Sequence, residues 1–127
     1  MISAILDASA LLAFVKGEQG AEFVASLIGE AAISAVNFAE AVSKLVEKGA
    51  TIDLARVALS VANIDVIDFD RELAEQAGAL IAKTRSSGLS LGDRACLALA
   101  ARERVPAVTG DRVWAKLGLG IEIRLIR

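Results

Sequence analysis

Ile2-Ser3-Ala4-Ile5-Leu6-Asp7 is the stretch on which the fold turns. Residues 2–6 are apolar except for Ser3, too short for a helix, and stopped by an acid. That is the form of a strand buried on both faces. Working outward, residues 8–15 and 19–29 pattern as helices, separated by the break Lys16-Gly17-Glu18, and 31–34 is a second short apolar run. A helix is expected over 37–48, with Phe38, Val42, Leu45 and Val46 on one face and Gly49 as its stop. Further helices are expected over 52–62 (after Thr51), 70–85 and 91–104, with a polar turn at 86–88. Strands are expected at 64–67, 106–109 and 121–126, and a short helix at 111–117. Short apolar strands alternating with helices specify an α/β protein: a mainly parallel sheet of four to five strands covered on both faces, in three α/β/α layers.

Composition narrows the chemistry. The 127 residues suit one domain, with 55% apolar residues and a single proline. No apolar run nears the roughly 20 residues of a membrane span, and residues 1–6 carry no basic leader. The expectation is therefore a cytoplasmic protein with no membrane association. The lone Cys96 has no internal disulfide partner and reads as a buried core thiol in a reducing compartment. The absence of histidine excludes a histidine general base, a histidine-ligated zinc and histidine triads. Hydrolytic chemistry is left to carboxylates, hydroxyls, Lys/Arg and bound metal. Residues 1–82 hold five Lys/Arg against twelve Asp/Glu, whereas residues 83–127 hold nine against four. A basic C-terminal third is suited to steering a polyanion, although ordinary solvated helix faces look the same.

The acids fall in a pattern. In open parallel α/β sheets, ligands bind beyond the carboxyl ends of the strands. Asp7 ends the first strand and Asp111 follows the fourth by two residues; Glu40 and Asp93 are placed in the first turns of the helices at 37–48 and 91–104. Each has a capping alternative. Asp7 and Asp111 fit N-caps, and Asn37-x-x-Glu40 and Ser90-x-x-Asp93 fit capping boxes. Asp93 stands apart because the helix after it, Ala95 to Ala101, is apolar all round and so buried. An acid at the mouth of a buried helix needs a partner. With other acids converging and no histidine, an all-oxygen site for Mg²⁺ or Mn²⁺ is the economical one. Ser9 and Thr109 are placed to hydrogen-bond a carboxylate or a bound water. Arg94, Arg112 and Lys116 lie near the acidic motifs as candidate contacts for a polyanion.

These segments resemble a known family. Leu6-Asp7-Ala8-Ser9-Ala10-Leu11-Leu12 resembles the opening motif of PIN domains, and Ile33-Ser34-Ala35-Val36-Asn37-Phe38-Ala39-Glu40 the segment that supplies their glutamate. The run Leu89-Ser90-Leu91-Gly92-Asp93-Arg94-Ala95-Cys96-Leu97-Ala98-Leu99-Ala100 resembles their third acidic motif, and Val108-Thr109-Gly110-Asp111 their fourth. The match spans essentially the whole chain as one PIN domain, residues 1–127, and is nearest to the VapC-type toxins. The resemblance implies a Mg²⁺- or Mn²⁺-dependent endoribonuclease acting on RNA, usually a homodimer, held inactive by a small VapB-type antitoxin. Asp7, Glu40, Asp93 and Asp111 would be its metal-binding and catalytic carboxylates. Other classes fit less well. A receiver-like phospho-acceptor needs an acid beside Asp7 and a lysine after the fifth strand. A D-x-D phosphatase needs an acid where Ser9 stands, and a non-catalytic PIN scaffold would be expected to have lost acids.

Overall fold

The computed structural model describes residues 1–127. The first strand, β1, is Ala4–Leu6, and all three of its residues are fully buried. β2 (Ala31–Ser34) and β4 (Ala107–Thr109) pair in parallel on either side of it. β3 (Asp65–Ile67) and β5 (Ile123–Leu125) extend the sheet, giving the order β3-β2-β1-β4-β5, all parallel. The inner strands are buried throughout because helices cover both faces, and their only polar residues, Ser34 and Thr109, stand at the carboxyl ends. The edges are different: Asp65 on β3 and Arg124 on β5 are exposed, charges that discourage pairing with another sheet.

The side chains alternate between two cores. Ile5, Ala32 and Ala107 face α5 (Arg71–Ala79), α7 (Leu91–Glu103) and the buried Trp114. Ala4, Leu6, Ala31 and Val108 face α1 (Ala8–Lys16) and α2 (Ala21–Ala25). Ile33 packs with Leu11 and Leu12 of α1, Ala41 of α3 (Ala35–Glu47) and Leu59 of α4 (Ile52–Ser60). This is the expected three-layer α/β/α arrangement. The helix after Asp93 is buried as its composition requires, from Ala95 to Ala100, and Cys96 is a free, buried thiol. No helix is long and apolar enough to cross a membrane.

Several boundaries move, each for a local reason. α3 begins at Ala35 rather than at 37, because the Ser34 hydroxyl accepts from the Val36 amide and caps it. Glu40 therefore stands in the second turn, and Asn37 is not a cap. The helix expected over 70–85 ends as α5 at Ala79, followed by a short α6 (Ile81–Thr84) and a 3-10 turn over Arg85–Ser87. The buried Thr84 hydroxyl bonds the Leu80 carbonyl at 2.9 Å, so the side chain competes with the helix ladder there. The helix expected over 19–29 shrinks to α2: it starts only at Ala21, since Gly20 sits at φ +98° and a Cβ on it would lie 2.6 Å from the Ile126 carbonyl oxygen, and turns replace it after Ala25. The last strand is only Ile123–Leu125.

Strand order positions the site. The chain steps outward from β1 through β2 to β3, then returns to the other side of β1 for β4 and β5. The connections thus diverge between β1 and β4, and a crevice opens beyond the carboxyl ends of those two strands.

Candidate active site

Asp7 leaves the end of β1 into that crevice. It is 6% exposed and held by three donors: the Ala10 amide at 2.9 Å and the Ser9 hydroxyl at 2.7 Å on Oδ1, and the Thr109 hydroxyl at 2.5 Å on Oδ2. Each hydroxyl also accepts from a backbone amide of the β4 loop, Gly110 to Ser9 at 2.9 Å and Asp111 to Thr109 at 3.0 Å. Two relays therefore run from the end of β4 through Ser9 and Thr109 onto Asp7. Burial raises the Asp7 pKa above its ordinary value; the hydroxyl and amide bonds oppose that shift, and the nearby Asp93 carboxylate adds to it.

Glu40 and Asp93 close on Asp7 from two helices. The buried Asn37 on α3 donates from Nδ2 both to Glu40 Oε1 and to the Gly92 carbonyl, each at 2.9 Å. That bond pair ties α3 to the start of α7 and orients the glutamate. A Cβ at Gly92 would collide with the Glu40 carboxylate, so the glycine leaves room for it. Asp93 forms a capping box with Ser90, the Ser90 hydroxyl accepting from the Asp93 amide at 3.1 Å and the Asp93 carboxylate from the Ser90 amide at 3.0 Å. Asp111 accepts from the Val113 amide at 3.0 Å. Capping and facing the cavity are thus not alternatives here. Asp7, Asp93 and Asp111 each cap a helical segment and line the crevice.

Asp7, Glu40, Asp93 and Asp111, with Ser9, Asn37, Gly110, Lys44 and Arg127, line a cavity of about 350 Å³. None of the four acids has a Lys or Arg within ion-pair distance. Beneath them, the Cys96 thiol pKa is pushed well up, first by burial and then by the negative charges of Asp7, Asp93 and Glu40. One buried group thus senses three of the acids at once.

Two observations bear on a hard divalent cation. The donors are all oxygen, and Asn37 Oδ1, beside Glu40, is buried without a partner. As the side chains stand, no three carboxylates converge tightly enough to enclose an ion. That openness suits Mg²⁺, which keeps several of its own waters and takes only one or two carboxylates directly. The residues present fit such a group.

Arg94 does not belong to the cavity. It follows Asp93 in sequence, but one helical step turns it toward α5, where its guanidinium donates to the Ala77 carbonyl at 2.9 Å. Arg112 and Lys116 are exposed on the 3-10 turn over Arg112–Lys116, outside the lining. Sequence reading took Asn37 as a cap, and did not single out Gly92, Lys44 or Arg127. The receiver-like reading fails on topology, since β3 lies at the sheet edge. Asp70 instead caps α5 through the Leu73 amide and pairs with Arg102 at 3.2 Å.

The PIN domain family model matches residues 4–119. The chain is a PIN domain. Solved structures share its fold. The DNA-bound VapBC complex of Salmonella typhimurium matches at TM-score 0.79 and 19% identity, over 100% of both chains. VapBC-5 of Mycobacterium tuberculosis, from the VapBC family of toxin–antitoxin systems, matches at TM-score 0.68 and 26% identity, over 100% of this chain and 99% of that one. VapC20 of the same organism, described as a toxin that cleaves the sarcin–ricin loop, matches at 0.66 and 17%, over 83% of this PIN domain and 87% of its own length. No curated protein matches the sequence significantly.

Proposed function

We propose that this PIN domain is a Mg²⁺- or Mn²⁺-dependent endoribonuclease that acts in the cytoplasm as the toxin of a toxin–antitoxin pair. One observation carries the reading: four carboxylates from four separate segments line one cavity at the switch point of the sheet, with no side-chain cation paired to them. Carboxylates left unpaired in this way repel one another and invite a divalent ion.

Asp7, Glu40, Asp93 and Asp111 would hold the ion, directly or through water. When bound, it acidifies a water and offsets charge developing on the phosphate. The remaining work falls to the chain itself. Ser9 and Thr109 fix both oxygens of Asp7, so the most buried ligand keeps one orientation. Asn37 does the same for Glu40, and the space at Gly92 lets that carboxylate approach. With no histidine in the chain, the proton of the attacking water passes to a carboxylate oxygen of the cavity or to solvent. Attack by water on phosphorus with rupture of the P–O3′ bond, the departing O3′ taking up a proton from solvent, would leave a 5′-phosphate and a 3′-hydroxyl.

The antitoxin reading is supported by an unpartnered apolar face. Leu54, Val57 and Val61 share one side of α4 and its end and are 61%, 66% and 67% exposed. Apolar surface of this kind marks a partner, here a helix of a VapB-type antitoxin; a homodimer would use a separate face.

The test is cleavage of fluorescently end-labelled RNA with Mn²⁺, with EDTA, and by Asp7→Asn and Asp93→Asn. Metal-dependent cleavage lost in both folded variants supports the proposal. Equal cleavage by wild type and variants, or cleavage that survives EDTA, overturns it. Sedimentation at high concentration tests the dimer, and a monomer would contradict it.

A further inference from the structure

Three of the five basic residues in the first 82 positions are Lys16, Lys44 and Lys48, and the fold gathers all three at one place. With Arg127 they line a second cavity of about 250 Å³, together with Ser9, Leu12, Glu18 and Glu47. Ser9, Lys44 and Arg127 line both this cavity and the carboxylate cavity, so the two adjoin. From these positions we propose that Lys16, Lys44, Lys48 and Arg127 form a subsite for the backbone phosphates of the RNA strand on one side of the cleavage point. The proposal rests on the nuclease reading above and adds where the substrate lies.

Helix geometry sets the spacing. Glu40, Lys44 and Lys48 follow one another at intervals of four along α3 and its cap, so the two lysines stand about 6 Å and about 12 Å beyond the glutamate along the axis. Lys16 ends α1, about 13.5 Å along the axis from Asp7, which caps the same helix. The cations thus form a track that leaves the acids along two helices.

Ordinary helix-end stabilisation accounts for each lysine separately, since Lys16 and Lys48 both sit at helix C-termini. It does not account for their convergence. None of the four cations is in an ion pair, although Glu18 and Glu47 line the same cavity. Lys16 and Lys48 are close enough that the Lys16 pKa is lowered, chiefly by its contact with Lys48. Arg127 donates to the Gln19 carbonyl at 3.2 Å, and its guanidinium lies over Gly110, 2.9 Å from where a Cβ there would sit. It is thereby held between the lysine cavity and the carboxylates. Like charges packed together and left out of ion pairs suit a polyanion, and the acids next door place its scissile phosphate.

The test is equilibrium binding of a fluorescein-labelled 12-nucleotide single-stranded RNA in EDTA, across a salt series. Lys16→Ala/Lys48→Ala is compared with Arg56→Ala/Arg71→Ala, which removes the same charge from exposed local ion pairs. In the lysine variant, the slope of log affinity against log salt should fall by about 1.4, and low-salt affinity by on the order of tenfold or more. The arginine variant should keep the wild-type slope. Equal slopes in both variants overturn the subsite. If the lysine variant keeps its RNA slope but loses binding to a hexaglutamate peptide, the groove belongs to an acidic protein partner and the proposal also fails. Neither outcome touches metal-dependent cleavage by the wild type, so the two readings are tested separately.

Discussion

Replacing Gly92 with alanine separates the site from the fold. Gly92 is buried in the first turn of α7, and an added Cβ would lie 2.6 Å from both Cδ and Oε1 of Glu40. Carbon contacts settle near 3.5 Å, so the carboxylate must retreat by about 1 Å. Retreat also strains the 2.9 Å bond from Asn37 to Glu40 Oε1. The backbone benefits from the change, since alanine is favoured over glycine in a helix by about 0.5–1 kcal/mol. Loss of one hydrogen bond costs about 0.5–1.5 kcal/mol, so net stability should stay within about 1 kcal/mol of wild type. Catalysis has no such compensation, and a misplacement of about 1 Å costs on the order of 100-fold. Urea unfolding and Mn²⁺-dependent RNA cleavage, measured on the same preparation, give both quantities. Cleavage within about threefold of wild type would refute the claim that Glu40 must occupy its position. A stability loss above about 3 kcal/mol would show that Gly92 serves packing instead.

Further outcomes follow from the hydrogen bonds and charges. Because the folded pKa of Asp7 lies above its unfolded value, its contribution to stability is present at low pH and is lost as pH rises through the folded pKa. Asp7→Asn removes that loss, so without metal its melting temperature at pH 7 should equal or exceed that of wild type while cleavage disappears. Thr109→Val strands Asp7 Oδ2 and the Asp111 amide and should cost about 1–3 kcal/mol in urea unfolding. Since the Thr109 bond helps hold Asp7 ionised, the acid side of that variant's pH–activity profile should also shift upward. Mn²⁺ at 100 times its dissociation constant should stabilise wild type by about 2.7 kcal/mol; Asp7→Asn/Asp93→Asn should show almost none of that gain in calorimetry.

Much of the architecture was legible because short apolar runs ending in polar residues are written locally. Residues 2–6 and 31–34 announce buried strands, and the all-apolar face around Ala95–Ala100 announces a buried helix. The start of α3 was not legible, because Ala35-Val36 continues the apolar run of β2 and only the Ser34 cap marks the turn. That the four acids share one edge of the sheet was legible from their positions, Asp7 and Asp111 at strand ends and Glu40 and Asp93 near helix starts. Their support was not: Asn37 looks like a cap until its contact with Gly92, 55 residues away, is seen. Arg94 misled because adjacency in sequence suggests adjacency in space, whereas neighbours on a helix point about 100° apart. The lysine track was hidden for the opposite reason. Lys16, Lys44 and Lys48 lie in the acidic two-thirds of the chain, and only the packing of α1 against α3 gathers them, whereas charge counting drew attention to the basic C-terminal third.

Anomalous diffraction from crystals grown with Mn²⁺ tests the central claim most directly. The account predicts a manganese peak in the cavity bounded by Asp7, Glu40, Asp93 and Asp111, absent from crystals of Asp7→Asn/Asp93→Asn. A fully occupied peak elsewhere on the molecule, or none here at saturating Mn²⁺, would contradict it.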